Sequence, residues 1–306
     1  MMIPTTLHKT ELQLITPCFC AGANQREPEL RAPSFRGELR WWFRCLGGTP
    51  EQEGRVFGSA AGGAGSASAV ALIVSNVKPC RDYPWDFEQP VRKGVNSAYI
   101  TYFLYANENS DREDAVVRTG AFLPPKTRFT LELRQLRNLE ASDKELLDLA
   151  WDCMCHLGAV GSRKTRGLGA YAPAMDAAKR KERLDALLCD SRVKAEGRFT
   201  FKHGRKACGE VDSPANINKI LTACAEELKR YRKEHHLHPV PTKDQNRKEG
   251  EYYGVSSLGN AVGHRQASSV RFRPVLNEND ELELLILKAP DITLCAEAKE
   301  HDIPRL

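Results

Sequence analysis

The sequence predicts an α+β fold built from two successive βαββαβ units, and three observations carry that expectation. Short segments alternate apolar and polar residues at the period of a half-buried strand. Other, longer segments place apolar residues at helical spacing. The two kinds follow one another as strand, helix, strands, helix, strand. That order is the outline of a ferredoxin-like (RRM-like) unit. Residues 1–175 are expected to form one such domain with a glycine-rich loop near its end, and residues 176–306 a second, more divergent one. A chain of 306 residues has room for both.

The elements can be justified in order. Residues 7–16 alternate as a strand, with Leu12, Leu14 and Thr16 on one face. Ala32-Pro33-Ser34 opens a helix that runs to about Leu46 and stops at Gly47-Gly48. Its proline stands near the first turn, where a missing N–H costs little. Phe35, Leu39, Trp42 and Leu46 fall on its core face. Further strands are expected at 70–77, 98–105 and 127–136. Ser142-Asp143-Lys144-Glu145 has the pattern of a capping box and begins a helix whose buried stripe is Leu146, Ala150, Met154 and Leu157. A strand follows Gly169. Residues 176–195 read as a charged linker or connecting helix. Beyond them lie a short strand at 198–202, a helix from Ser213-Pro214, and strands at 268–275 and 281–288.

Composition excludes several classes of function. With 45 basic and 40 acidic side chains, the net charge of +5 is too small to argue nucleic-acid binding by itself, so local placement must carry that argument. The ten cysteines include the C-x-C pairs Cys18/Cys20 and Cys153/Cys155 but no C-x-x-C, which does not suit zinc. His235, His236 and His238 lie in a basic polar stretch without a cysteine or carboxylate at a helpful spacing, and read as solvated loop. No metal or cofactor is expected. The N-terminus lacks an apolar signal region, and no apolar run approaches the roughly 20 residues of a membrane span. Reduced thiols in a cytoplasmic protein are the expectation.

Residues 158–169 read Gly-Ala-Val-Gly-Ser-Arg-Lys-Thr-Arg-Gly-Leu-Gly: four glycines and three cations without an acid. Gly161, Gly167 and Gly169 permit φ > 0, so main-chain N–H groups can gather into an anion-binding nest. Arg163, Lys164 and Arg166 add charges that pair with phosphate, and Ser162 lies among them. A nucleotide P-loop needs a different spacing, and a dinucleotide fingerprint needs a strand before it rather than a helix. Upstream, Arg36, Arg40 and Arg44 fall together on one helix face. Their mutual repulsion implies an anion nearby. Trp41 lies off the core stripe, where it could stack a base or pack against a second domain or a neighbouring subunit. Arg31 is a weaker RNA-contact candidate, and His264 with Arg265, in a glycine-bounded loop, is a candidate for a second RNA contact.

The segment Gly161-Ser162-Arg163-Lys164-Thr165-Arg166-Gly167-Leu168-Gly169 resembles the glycine-rich signature of the CRISPR RAMP superfamily. Ile15-Thr16-Pro17, Gly22-Ala23, Pro28-Glu29-Leu30-Arg31, and Ser34-Phe35-Arg36-Gly37-Glu38-Leu39-Arg40-Trp41-Trp42-Phe43-Arg44 resemble the opening of the family of first subunits of the type III-B (Cmr) effector complex. Phe57-Gly58-Ser59 fits the same pattern, and Arg265-Gln266-Ala267-Ser268-Ser269 is a fainter echo with serine in place of a proline. The resemblance implies two ferredoxin-like domains and a place near the 3′ end of the guide RNA. It also implies contact with guide (CRISPR) RNA, target RNA and other RAMP subunits, without a slicing role. A RAMP endoribonuclease is the competing reading. Metal-free cleavage would need a histidine base, and His8 and His156 are the candidates in the first domain. His156 reads more simply as a cation at a helix C-terminus. Asp86 and Asp111 lie in loops where a cleaving relative could hold an acid, yet nothing singles them out.

Overall fold

The computed structural model describes residues 4–24, 27–59, 65–84, 122–195, 197–204, 207–234 and 268–290. Strand β1 (Thr5–Leu14) turns Leu12 and Leu14 fully into the core, as its alternation requires. A two-residue strand, β2 (Cys18–Phe19), precedes helix α1 (Ala32–Cys45), whose expected stripe of Phe35, Leu39, Trp42 and Leu46 is buried throughout. Helix α2 (Pro50–Phe57) is additional to the expected elements. Thr49 and Gln52 close a capping box at its start, which satisfies two N-terminal donors. Then come β3 (Val70–Lys78), β4 (Phe122–Leu123), β5 (Arg128–Gln135), helix α3 (Ala141–Leu157) and β6 (Tyr171–Pro173).

The main sheet has the order β3-β5-β1-β6 with antiparallel pairs throughout. Leu12 stands opposite Phe129 on one side and Pro173 on the other. Side chains of α1 and α3 fill the core with Leu12, Phe129, Leu131 and Leu133.

Two local expectations are corrected. Ser142 does not cap α3: the helix begins before it, with Glu140 at the N-cap and no side-chain cap bond. Asp143 is instead buried and receives Gln52 at 3.0 Å and Arg55 at 2.7 and 2.8 Å, both from α2. A charge-assisted tertiary pair outweighs a local cap. Residues 176–195 are not a linker. They form α4 (Ala177–Cys189), capped by Asp176, and the short α5 (Ser191–Lys194). Both pack Leu184, Leu187, Leu188 and Val193 into the core.

The later residues form β7 (Thr200–His203), α6 (Pro214–Glu234), β8 (Val270–Leu276) and β9 (Leu282–Lys288), with an antiparallel sheet of order β7-β9-β8. Every residue of β8 is buried because it is covered on two faces. Val270, Phe272 and Leu276 join the cluster of α6, while Val275 joins the cluster of α1 and α3. Apolar packing is continuous between the earlier and later elements: Trp42 and Met154 share a cluster with Phe199 and Leu285, and Ile15 and Leu168 share one with Ile217 and Phe272. Tyr83 donates to the Val211 carbonyl at 2.7 Å, and Lys126 pairs with Asp212 at 2.8 Å across the same seam.

Every described cysteine is a free thiol. Among the described residues no helix is long and apolar enough to cross a membrane. The strand expected at 98–105, the histidines 235, 236 and 238, Asp86, Asp111, His264 and Arg265 lie outside the described residues.

Candidate nucleic-acid interface

Helix α3 ends at Leu157 and hands the chain directly to the glycine-rich loop. The loop closes on itself at its base, where Ala159 bridges Ala170 and the Val160 N–H donates to the Gly169 carbonyl at 2.9 Å. Residues 16–19 form its floor. The Ser162 N–H donates to Phe19 and the Gly169 N–H to Pro17, each at 2.8 Å, while the Thr16 hydroxyl donates to the Gly167 carbonyl. Gly161, Gly167 and Gly169 adopt φ of +89°, +91° and +63°, as the sequence predicts. Arg163 at the tip is also left-handed, at +57°. The base from Gly167 to Ala170 is buried, Ser162 is exposed, and residues 163–166 are half-exposed.

This geometry narrows the expected nest. The N–H groups of Val160, Ser162, Arg166 and Gly169 already serve internal carbonyls. An anion at the tip would therefore meet side chains more than these amides.

The three loop cations do not share one environment. Lys164 Nζ lies 2.7 Å from Glu38 Oε2, and that carboxylate has no exposure. Arg271 of β8 binds the other Glu38 oxygen, and its guanidinium lies 3.2 Å from the centroid of the Trp41 ring. Arg273, 1% exposed, donates to the Lys164 carbonyl at 3.2 Å. Burial pushes the Glu38 carboxyl up, but the charges of Arg271, Lys164 and Arg273 outweigh it and hold the group at about 2. Burial and the neighbouring Arg271 push Arg273 down to about 10.

A pH prediction follows from that arrangement. A depressed carboxyl contributes stability that is present above its ordinary value of 4.5 and lost as pH falls from there toward about 2. Tyr171 and Cys45, the other titratable groups facing Glu38, stay neutral because burial pushes both up. Acid unfolding of Glu38→Gln, followed by circular dichroism, is expected to lose about 3 kcal/mol of this acid-dependent stability. An unchanged acid profile in a folded variant would refute it.

The arginine face on α1 finds its anion inside the protein. Glu53 of α2 accepts from Arg40 at 2.7 Å and from both arms of the Arg44 guanidinium, and Arg36 donates to the Phe57 carbonyl. Burial pushes the Glu53 carboxyl up, yet Arg44 and Arg40 hold it below its ordinary value. The repulsion among three arginines is thus offset without a ligand. Arg36 and Arg40 also line a cleft of ≈ 590 Å³ with Phe57, Ser59, Ser66 and Ser68. Trp41 is half-buried, with Arg271 over one ring face and Trp42 and Phe199 packed edge-on. That takes up surface a base would need. Arg31 is exposed near Glu29.

His156 is not a helix-end cation. It is 8% exposed, with Nδ1 at 3.0 Å from the Asp152 carbonyl, and burial holds its pKa below the ordinary value. His8 stacks on Trp151, and its Nε2 lies 2.7 Å from Asp148.

Sequence reasoning missed four residues that organise the site: Glu38, Glu53, Arg271 and Arg273. Two signals were present. Glu38 falls on the core side of α1, three residues after Phe35, and Arg271-Phe272-Arg273 places two cations in an otherwise apolar strand. A charge at a core position implies a partner.

Helix α3 thus feeds a glycine-rich basic loop that closes against residues 16–19, just beyond the first strand of the main sheet. The family model described as the RAMP superfamily matches residues 11–172, and the chain belongs to that superfamily. Its relatives there are Cmr1 subunits. The chain is 30% identical over 185 residues to CRISPR system Cmr subunit Cmr1-2 of Pyrococcus furiosus, covering 54% of this chain and 94% of that protein. It is 28% identical over 181 residues to Cmr1-1 of the same organism, covering 54% of this chain but only 46% of that protein. Among solved structures, apo Cmr1 from Pyrococcus furiosus superposes with a TM-score of 0.51 at 19% identity, over 94% of this chain and 88% of that one. A chain of the type III-B Cmr-beta complex bound to cognate target RNA gives 0.51 at 13% identity, over 93% and 94%. At these identities the likeness concerns the fold.

Proposed function

We propose that this chain is a non-catalytic RNA-binding subunit of a type III-B CRISPR effector ribonucleoprotein, which contacts guide or target RNA near the guide 3′ end beside other RAMP subunits. The observation that carries the reading is the loop: its base is buried and stapled to the floor residues, while its half-exposed tip holds Arg163 and Arg166 at the surface. Cations on a pre-organised loop suit a phosphate backbone. The relatives are Cmr subunits, and one solved neighbour is a Cmr complex bound to target RNA. The cleft beside Arg36 and Arg40 offers a second arginine-bearing surface on the same half.

We read the strand order β3-β5-β1-β6 as the first ferredoxin-like unit, within residues 1–175. The β7-α6-β8-β9 arrangement then represents the second, within 176–306. The burial of His156 favours a binding role over metal-free cleavage at that residue.

The test is the salt dependence of affinity for labelled guide RNA and for guide–target duplex. Arg163→Glu with Arg166→Glu is expected to weaken binding and to flatten the slope of log affinity against log salt by about 1.4, or about 0.7 per single-strand phosphate contact. Unchanged binding by a folded double variant would sink the reading. Incubation with and without Mg²⁺ separates the enzyme alternative: site-specific products abolished by His8→Ala would replace a binding subunit with an endoribonuclease.

A further inference from the structure

We infer that the Nε–Nη2 edge of Arg273, together with Arg271 Nε, forms a buried binding site for a small inorganic anion of the size of chloride. The site lies where β8 meets α1 and the glycine-rich loop, and it stands independently of the RNA-binding reading.

The cluster carries more positive charge than it can balance. Lys164, Arg271 and Arg273 all act on the Glu38 carboxylate, so among the described residues three cations face one acid. Two positive charges are left uncompensated. Arg273 is 1% exposed and Arg271 2%, so water screens these guanidiniums little. Burial and the neighbouring Arg271 lower Arg273 only to about 10, and it keeps its proton at neutral pH. Tyr171, Cys45 and Cys224 also face the cluster, but burial pushes all three up and they bring no negative charge. A buried charge without a counter-charge is costly.

Its donors are also in excess. Arg273 Nη1 donates to the Lys164 carbonyl at 3.2 Å, and Arg271 Nη1 donates to Glu38. Arg271 Nε and Arg273 Nε and Nη2 are buried and have no hydrogen-bond partner among the described residues. The two orphaned nitrogens of Arg273 form one edge of the guanidinium. Their N–H bonds run side by side, the arrangement that takes an anion in bidentate fashion.

Burial and charge together select the ligand. A phosphate tethered in an RNA chain cannot reach guanidiniums this closed. A water molecule would satisfy the donors but leave the charge. A small free anion does both. It would also steady the joint between β8 and the loop, because Phe272, between the two arginines, donates its N–H to the Thr165 carbonyl at 2.9 Å.

The test is thermal unfolding of the full chain in potassium chloride and in potassium gluconate at equal ionic strength, gluconate being too bulky for the site. Chloride is expected to raise the wild-type Tm saturably, by about 2–4 °C. Arg273→Met, which removes the edge and its charge, is expected to melt at the same temperature in both salts. Equal wild-type Tm in the two salts, or an undiminished chloride effect in Arg273→Met, would overturn the inference. Should Arg273→Met fail to fold, wild-type crystals grown in sodium bromide decide. An anomalous bromide peak within hydrogen-bond distance of Arg273 Nε and Nη2 supports the site, and an edge without bromide refutes it.

Discussion

Gly169→Ala is expected to destabilise the protein by about 3–5 kcal/mol, lowering Tm on the order of 10 °C in calorimetry. Two separate costs combine. The backbone there has φ +63°, which costs a non-glycine residue about 1 kcal/mol or more. A Cβ would also stand 1.8 Å from the Val160 carbonyl oxygen, a main-chain atom that cannot rotate away. Relief requires opening the loop base and loosening the bonds from Val160 N–H to Gly169 and from Gly169 N–H to Pro17, each worth about 1 kcal/mol. Gly197→Ala is the control. Its φ is +74°, yet nothing lies within 4 Å of the added Cβ, so only the dihedral cost of about 1 kcal/mol should be seen. Equal losses at the two positions would show that the close approach at Gly169 carries no weight.

The second large effect is expected at Arg271. Replacement by alanine removes one of the two ion partners of a carboxylate with no exposure, together with the guanidinium stacked on Trp41. Breaking a buried pair from one side costs about 3–5 kcal/mol, because the remaining charge stays buried. An exposed pair such as Arg128 with Glu11, 3.8 Å apart, should cost less than about 1 kcal/mol when Arg128 is truncated. The double variant Glu38→Gln with Arg271→Met should not recover that loss, since Lys164 and the buried Arg273 are left facing each other without their carboxylate. Urea unfolding of the four proteins checks this. An Arg271→Ala loss no larger than that of Arg128→Ala would refute the account of the seam.

Much of the earlier half was legible in the sequence because its signals are local. The stripe Phe35, Leu39, Trp42 and Leu46 has one helical phase, and the alternation of residues 127–136 has one strand phase. Both appear as α1 and β5 within a residue or two of expectation. The loop was legible for the same reason, since three glycines at positive φ are a backbone requirement written directly in residue type. Less was legible where partners are distant. Helix α2 has only eight residues, three of them charged, so periodicity carried no signal for it, yet it supplies Glu53 to Arg40 and Arg44. Asp143 matches a capping pattern that its bond to Arg55 overrides. Residues 176–195 look like a linker because their few leucines are spaced among charges, and burial follows from the surface they meet.

The sequence by itself determined the existence of a helix-fed, glycine-rich basic loop, because backbone permission and charge are properties of single residues. Only the tertiary structure decided what holds Lys164 in place. A carboxylate 126 positions away along the chain, that of Glu38, pairs with it. Long-range electrostatics between buried groups depends on distance and solvent exclusion, and neither is encoded in local spacing.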